Sequence, residues 1–294
     1  MAVLKRTFTK WSEDKAARLA AALAYYTVFS LAPLLIILIA IAGLVFGQQA
    51  AQGQIESHIQ GVVGPETAKA IQTMIQNASN PRSGIIATVL SVVTLLFGAS
   101  GVFNELQDGL NTVWEVMPRP DRGFRGMLHD RLGSFIMMLG IAAILLLSML
   151  ASTVLSALNG YFAQLLPGLG FLPELLNNLL SFGIGTLLFA TIYKVLPDVR
   201  VAWRDVWVGA LVTSLLFTVG KFLIALYLAK SSAASAYGAA GSLVLILLWV
   251  YYSAQILFLG AEFTQAYANR YGSHIVPGRH AIRVQRQVVP QPAG

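Results

Sequence analysis

Six long apolar runs, at about 25–47, 84–103, 134–158, 177–196, 207–228 and 241–263, constrain what this chain can become. Each is near the ~20 residues an α-helix needs to cross the hydrocarbon core of a bilayer. Lipid offers no water to the backbone, so each span must satisfy its own N–H and C=O groups, which selects helices. Composition agrees. The chain is 56% hydrophobic and 11% charged, with a mean hydropathy of +0.67, where a soluble domain carries about 25% charged residues. The expectation is an all-α, polytopic six-helix transmembrane bundle occupying residues 25–263. A basic amphipathic cytoplasmic helix at 1–24 precedes it. A largely disordered cytoplasmic tail at 264–294 follows it.

The basic residues set the expected orientation. Of 20 Lys and Arg residues, all but Lys69, Arg82, Lys221 and Lys230 fall before the first run, in the second-to-third and fourth-to-fifth gaps, or in the tail. Short cytoplasmic loops concentrate Lys and Arg, so both termini are expected in the cytoplasm of a bacterial inner membrane. The gaps at 48–83, 159–176 and 229–240 then face outward. Insertion accounts for the net charge of +7 more simply than nucleic-acid binding does, and anionic lipid is the expected attraction. The chain has no cysteine, which excludes disulfides, thiol catalysis and Cys-based metal sites.

Local patterns add detail. Trp11 is placed to anchor the amphipathic helix at the interface. Pro33 removes a helix hydrogen bond inside the first run and predicts a kink. In the first outer gap, Ile55, Ile59, Val62 and Val63 make one apolar stripe. Ala68, Ile71, Met74 and Ile75 make a second after Pro65, a good helix-starting residue. Two short amphipathic helices on the outer, periplasmic surface are expected there. Gly43 and Gly47 form a GxxxG pair suited to close helix contact, within or between chains.

Polar side chains inside the runs are the functional candidates, because lipid makes them costly. Thr88, Ser91, Glu105 and Asp108 recur on one helix face with Gly84, Gly98 and Gly101; Asn104 lies beside them. Small-residue packing explains the glycines, and hydration at the inner end explains Glu105 and Asp108. In the last run Gln255 and Glu262 are seven apart and point nearly the same way. A structural ion pair with Arg131, Lys194 or Arg204 is the plain expectation for Glu262; a proton or cation relay is the sharper one. Lys221 lies ~10 Å below the outer interface at ~1.5 Å per residue. With Ser214 and Thr218 it could line an outward groove for an anion or lipid headgroup, or it could snorkel. No phosphate loop, nucleophile elbow or HExxH pair is present. Asp121, Asp130 and His129 would be the residues of a nuclease, but read more simply as loop charges. No cofactor or metal is implied.

Four stretches together resemble the YihY/BrkB family of bacterial inner-membrane proteins: AALAYYTVFSLAPLL at 21–35, FGASGVFNELQDGLNTVWEV at 97–116, IYKVLPDVRVAWRDVWVGALVTSLLFTVGKF at 192–222 and YGAAGSLVLILLWVYYSAQILFLGAEFTQAYANRYG at 237–272. The resemblance spans about residues 11–272. It implies six helices with both termini inside, and the family's recurrent polar positions match Asn104, Gln107, Asn111, Pro197, Asp198, Trp203, Lys221 and Glu262. It carries no catalytic motif, and the family's historical label as ribonuclease BN is a misassignment. Some members are tied to virulence. The resulting expectation is a transporter or flippase-like protein for a lipid or small solute. A non-transporting envelope scaffold is the alternative and a nuclease the third reading. Membrane lipids are the expected partners, with no nucleic acid.

Overall fold

A computed structural model describes residues 2–47, 65–78, 101–119, 172–230, 241–278 and 281–284, with isolated positions between 53 and 60 and between 140 and 154. It is mostly helical. Helix α1 is Ala2–Glu13 and α2 is Ala16–Phe46; α3 is Pro65–Ala78; α4 is residues 101–113. Helices α5 (Leu172–Val195), α6 (Trp203–Lys230) and α7 (Gly241–Tyr271) follow. Four short strands complete the order: β1 Val116–Pro118, β2 Val199–Arg200, β3 Val276–Pro277 and β4 Ala281–Arg283.

Among the described residues, three helices are long and apolar enough to cross a membrane: Leu175–Val195, Trp203–Ile224 and Leu243–Tyr271. They correspond to the last three apolar runs. The first run lies in α2, which stays helical through Pro33. The second and third runs fall mostly outside the described residues, as do most of gap 48–64 and the loop around Asp121. The expected helix after Pro65 is α3; its Thr67 and Ile71 are buried and it packs on α2 and α7.

Two expectations change at the ends. The amphipathic segment is not one helix to residue 24. It breaks at Lys15, which sits in the left-handed region (φ 54°, ψ 44°), a conformation costing an L-residue roughly 1–2 kcal/mol. The break lets α1 fold back against α7 while α2 begins the span. The tail differs more. Helix α7 continues to Tyr271, and the chain beyond it forms strands where disorder was expected. β4 pairs antiparallel with β1, matching Met117 to Ile282, and β3 pairs antiparallel with β2, matching Val199 to Pro277. Polar composition hid this, because the pairing depends on backbone groups and on two apolar residues, Ile275 and Ala281, that enter the core.

Helix α7 is the hub. It packs against α1, α2, α3 and α6, while α5 packs on α6. Small residues permit the approach. Ala16, Ala20 and Ala24 are buried on α2. A Cβ at Gly209 of α6 would collide with Thr264 of α7, and one at Gly260 of α7 would collide with Thr213 and Tyr193. Without a hydrophobic force between helices in lipid, such contacts and interhelical hydrogen bonds supply the association. The Tyr193 hydroxyl donates to the Leu257 carbonyl at 2.7 Å and lies 3.0 Å from Thr213 Oγ1, so one side chain joins α5, α6 and α7. Elsewhere on α6, Leu215, Val219, Phe222 and Leu223 are exposed, an apolar face suited to lipid tails.

Gly209→Val should therefore lower the thermal unfolding midpoint in detergent, by on the order of 1–3 kcal/mol of overpacking strain. Thr264→Ala in the same chain should recover part of the loss. An unchanged midpoint in the single variant would mean that the α6–α7 crossing is looser than described.

Candidate functional site

The polar residues of α7 lie in a helix that is otherwise apolar, so their surroundings decide their role. Glu262 is fully buried at 0% exposure and Gln265 nearly so. Neither Glu262 oxygen, nor the side-chain oxygen of Gln265 or Gln255, accepts a hydrogen bond among the described residues. What faces Glu262 is the carboxyl of Asp14, itself buried at the turn between α1 and α2, with Lys10 and Glu115 in electrostatic reach. The partners expected from the sequence do not meet it. Lys194 instead donates to the Val201 carbonyl and lies 5.6 Å over the Trp203 ring. Arg204 is exposed, and Arg131 lies outside the described residues.

The N-terminal helix thus supplies what the sequence reading assigned to loops. Lys10 lies 2.9 Å from Glu115 and 3.2 Å from Glu13. The hydrogen bond to Glu115 holds the Lys10 ammonium above its ordinary range, against a smaller opposing effect of burial. Glu115 has a left-handed backbone (φ 56°), its carbonyl accepts from Val284 N–H at 2.9 Å, and Arg283 is 3.9 Å from its carboxylate. It therefore connects α1, the end of α4 and the C-terminal segment. A signal was present: Asp14 is an acid in a basic stretch, four residues after Lys10. Reading the stretch as a surface helix missed it.

A second polar joint lies at the end of α4. Asn111 Nδ2 donates to Asp198 Oδ2 at 3.1 Å, and Asn111 Oδ1 accepts from the Asp198 N–H at 2.8 Å. Gln107 Nε2 donates to the same carboxylate oxygen at 3.4 Å. Asp198 lies in the connection between α5 and β2, so this joint fixes α4 to the end of α5. Asp108 and Glu105 line the approach. Partial desolvation, then the Asp198 charge, pushes up the carboxyl of Asp108, an exposed residue; partial desolvation, then the Asp108 charge, pushes Glu105 up. Asn104 is exposed. Sequence spacing placed these residues on one face; it did not show that Asp198 closes the joint.

The outer candidates are not brought together. Ser214 is buried and donates to the Phe182 carbonyl at 3.2 Å. Thr218 is exposed and donates back to the Ser214 carbonyl at 2.8 Å. Lys221 is half-buried, with no hydrogen bond or ion pair among the described residues. Thr88 and Ser91 lie outside the described residues, as do His58, His129, His280, Asp121 and Asp130. Among the described residues no group of three or more His, Asp and Glu side chains could hold a metal.

Comparison with known proteins adds a family. A family model described as virulence factor BrkB matches residues 7–284. A UPF0761 membrane protein of Ralstonia nicotianae is 31% identical, the match covering 85% of this chain and 55% of the relative. One from Kangiella koreensis is 27% identical, over 88% of this chain and 62% of the relative. One from Tolumonas auensis is 30% identical, over 85% and 80%. The chain thus spans little more than half the length of the first two relatives. No solved structure matches.

The joint at Asp198 yields two expected outcomes. Asn111→Ala strips two hydrogen bonds from Asp198 and should cost about 2–3 kcal/mol, read as a lower unfolding midpoint. Asp108 and Glu105 have folded pKa values above their unfolded ones, so the folded state holds more protons. Their stabilising contribution is full below the ordinary carboxylate range and is lost as pH rises through the folded values. Asp108→Asn should therefore raise the midpoint at pH 7 relative to the parent, with the gap closing towards pH 4. A gap independent of pH would contradict this.

Proposed function

The chain belongs to the family described as virulence factor BrkB, and on that premise we propose that this integral membrane protein is a transporter or flippase-like protein for a lipid headgroup, small solute or ion. The observation that carries the reading is the buried polar pair of α7, Glu262 and Gln265, with the half-buried Gln255 on the same side, met by Asp14. Intramembrane polar and ionisable groups are costly, and they persist where a substrate or proton passes. Two carboxyls facing each other away from water cannot both ionise cheaply, so such a pair suits one shared proton or an arriving cation. In this reading Glu262 and Asp14 couple movement of charge to the position of α1, and Gln255 lies seven residues along the same face. Asn104, Glu105 and Asp108 line the polar end of the path.

Lys221 has a lesser place in the proposal. It is a half-buried cation near the opposite end of α6 from Asp205 and would meet an anionic headgroup rather than sit on the route through α7. The charge asymmetry between loops supports a bacterial inner-membrane location with both termini cytoplasmic, which puts the Asp14–Glu262 pair near the inner face.

Reconstituted vesicles test the reading. Purified protein in phosphatidylethanolamine–phosphatidylglycerol vesicles should raise movement of NBD-labelled phosphatidylethanolamine, or proton flux read by internal pyranine, above that of protein-free vesicles. Glu262→Gln and Asp14→Asn should each lower that flux about tenfold or more. Lys221→Met should have a smaller effect. Wild-type vesicles no leakier than empty ones to either probe would end the proposal. Flux unaltered in both carboxyl variants would remove its central observation.

A further inference from the structure

The C-terminal segment does more than cap α7. Residues 272–278 and 281–284 cross one end of the bundle and touch three separate elements there. Ser273 N–H and Oγ both donate to Asp205 Oδ2 at 2.9 Å, at the first turn of α6. Ser273 Oγ also accepts from the Ala202 N–H at 3.3 Å. Gly278 N–H donates to the Asp198 carbonyl at 2.8 Å, and a Cβ at Gly278 would lie 2.9 Å from that oxygen. Val284 N–H donates to the Glu115 carbonyl at 2.9 Å. β3 and β4 then pair with β2 and β1.

The contacts share a character. Each is a backbone or short polar bond to a loop or a helix terminus, and few apolar side chains enter; Ile275 and Ala281 are the buried ones. The Arg283–Glu115 pair, at 3.9 Å and half-exposed, adds little. Helix α7, by contrast, is held by fully buried contacts at Phe258, Ala261, Glu262, Thr264 and Ala268. Segments with few buried apolar contacts and exposed hydrogen bonds open at lower free energy than a packed core, and they open as units. The segment also lies directly over Asp198, whose carboxylate closes the joint to Gln107 and Asn111.

We propose that residues 272–278 and 281–284 act as a strap that latches this end of the bundle and opens as a unit, freeing the Asp198 connection from β3 and the end of α4 from β4. The proposal rests on the transport reading: the strap is the inner gate, shut in this structure. Asp205, Asp198 and Glu115 are its three catches. Release of the strap frees the Asp205 carboxylate and the Asp198 carbonyl together.

The absence of native cysteine makes a direct test possible. Met117 and Ile282 are paired across β1 and β4, a separation that a disulfide spans. Met117→Cys with Ile282→Cys should lock the strap on oxidation. Hydrogen exchange of amides in 196–205, measured in phosphatidylethanolamine–phosphatidylglycerol nanodiscs, should slow at least tenfold in the oxidised form and recover on reduction. Gly278→Val, which crowds the Asp198 carbonyl, should speed the same amides. Equal exchange in oxidised and reduced protein, or no change in Gly278→Val, overturns the strap. In vesicles, NBD-phosphatidylethanolamine movement should stop on oxidation and return on reduction; equal flux in both forms overturns the gating role. Absence of flux in both forms sinks the transport reading, and the exchange rates then decide strap opening alone.

Discussion

Close approach of α7 to its neighbours is the constraint on which the rest of the structure depends. Glycine and alanine at the crossings bring backbones near enough for one hydroxyl, that of Tyr193, to meet both Thr213 and the Leu257 carbonyl. The same tightness seals α7 from water on several sides. A polar group sealed in this way loses its hydration and costs several kcal/mol unless something replaces it. For Thr213 and Thr264 the replacement is a backbone carbonyl one turn back. For Glu262 it is another carboxyl. Packing that stabilises the bundle therefore makes the buried Glu262 sensitive to whatever arrives there.

The two polar joints at the strap end follow from the same physics in a different setting. Helix termini leave backbone groups without partners, and at this end α4 finishes while α6 begins. Asp205 in the first turn of α6 is a favourable anion there, and it accepts two bonds from Ser273 besides. Asn111 and Asp198 exchange bonds in both directions, so neither side chain can move without uncovering the other. These joints are short-range and directional, whereas the α6–α7 contact is broad. A bundle held firmly along α7 and by discrete bonds at one end has a stiff part and a releasable part.

Hydropathy made the helical membrane character legible, because lipid allows few alternatives to a long apolar helix. Gln255 and Glu262 stood out for the same reason: an acid in an apolar run is conspicuous without any structure. The partner of Glu262 was not legible. Charge level suggested Lys194 or Arg204, but Lys194 bonds the Val201 carbonyl and lies over Trp203, while a left-handed turn at Lys15 brings Asp14 inward. A single backbone dihedral redirects α1, and no periodicity records it. The strands of the tail were hidden for a related reason: β-pairing of two or three residues depends on register with distant backbone, and the sequence there reads as polar and Pro-containing. Spacing gives Ser214, Thr218 and Lys221 a shared face and not what the hydroxyls on that face already bond.

These two outcomes bear on each other. A carboxyl pair that only stabilised the fold would be better replaced by apolar side chains of similar volume, since buried ionisable groups are commonly neutral or unfavourable for stability. Glu262 and Asp14 meet where α1 crosses α7, and α1 also carries Lys10, whose partner Glu115 is one of the three catches of the C-terminal strap. Protonation or cation arrival at the pair changes the field felt by Lys10, and Lys10 is shared with Glu115. The path from Glu262 to the strap runs through Asp14, one helix turn to Lys10, then across 2.9 Å to Glu115, whose carbonyl accepts from Val284 N–H. A charge held at the core and a latch at the end of the bundle are joined by one lysine, which is the arrangement that coupling of binding to gate opening requires.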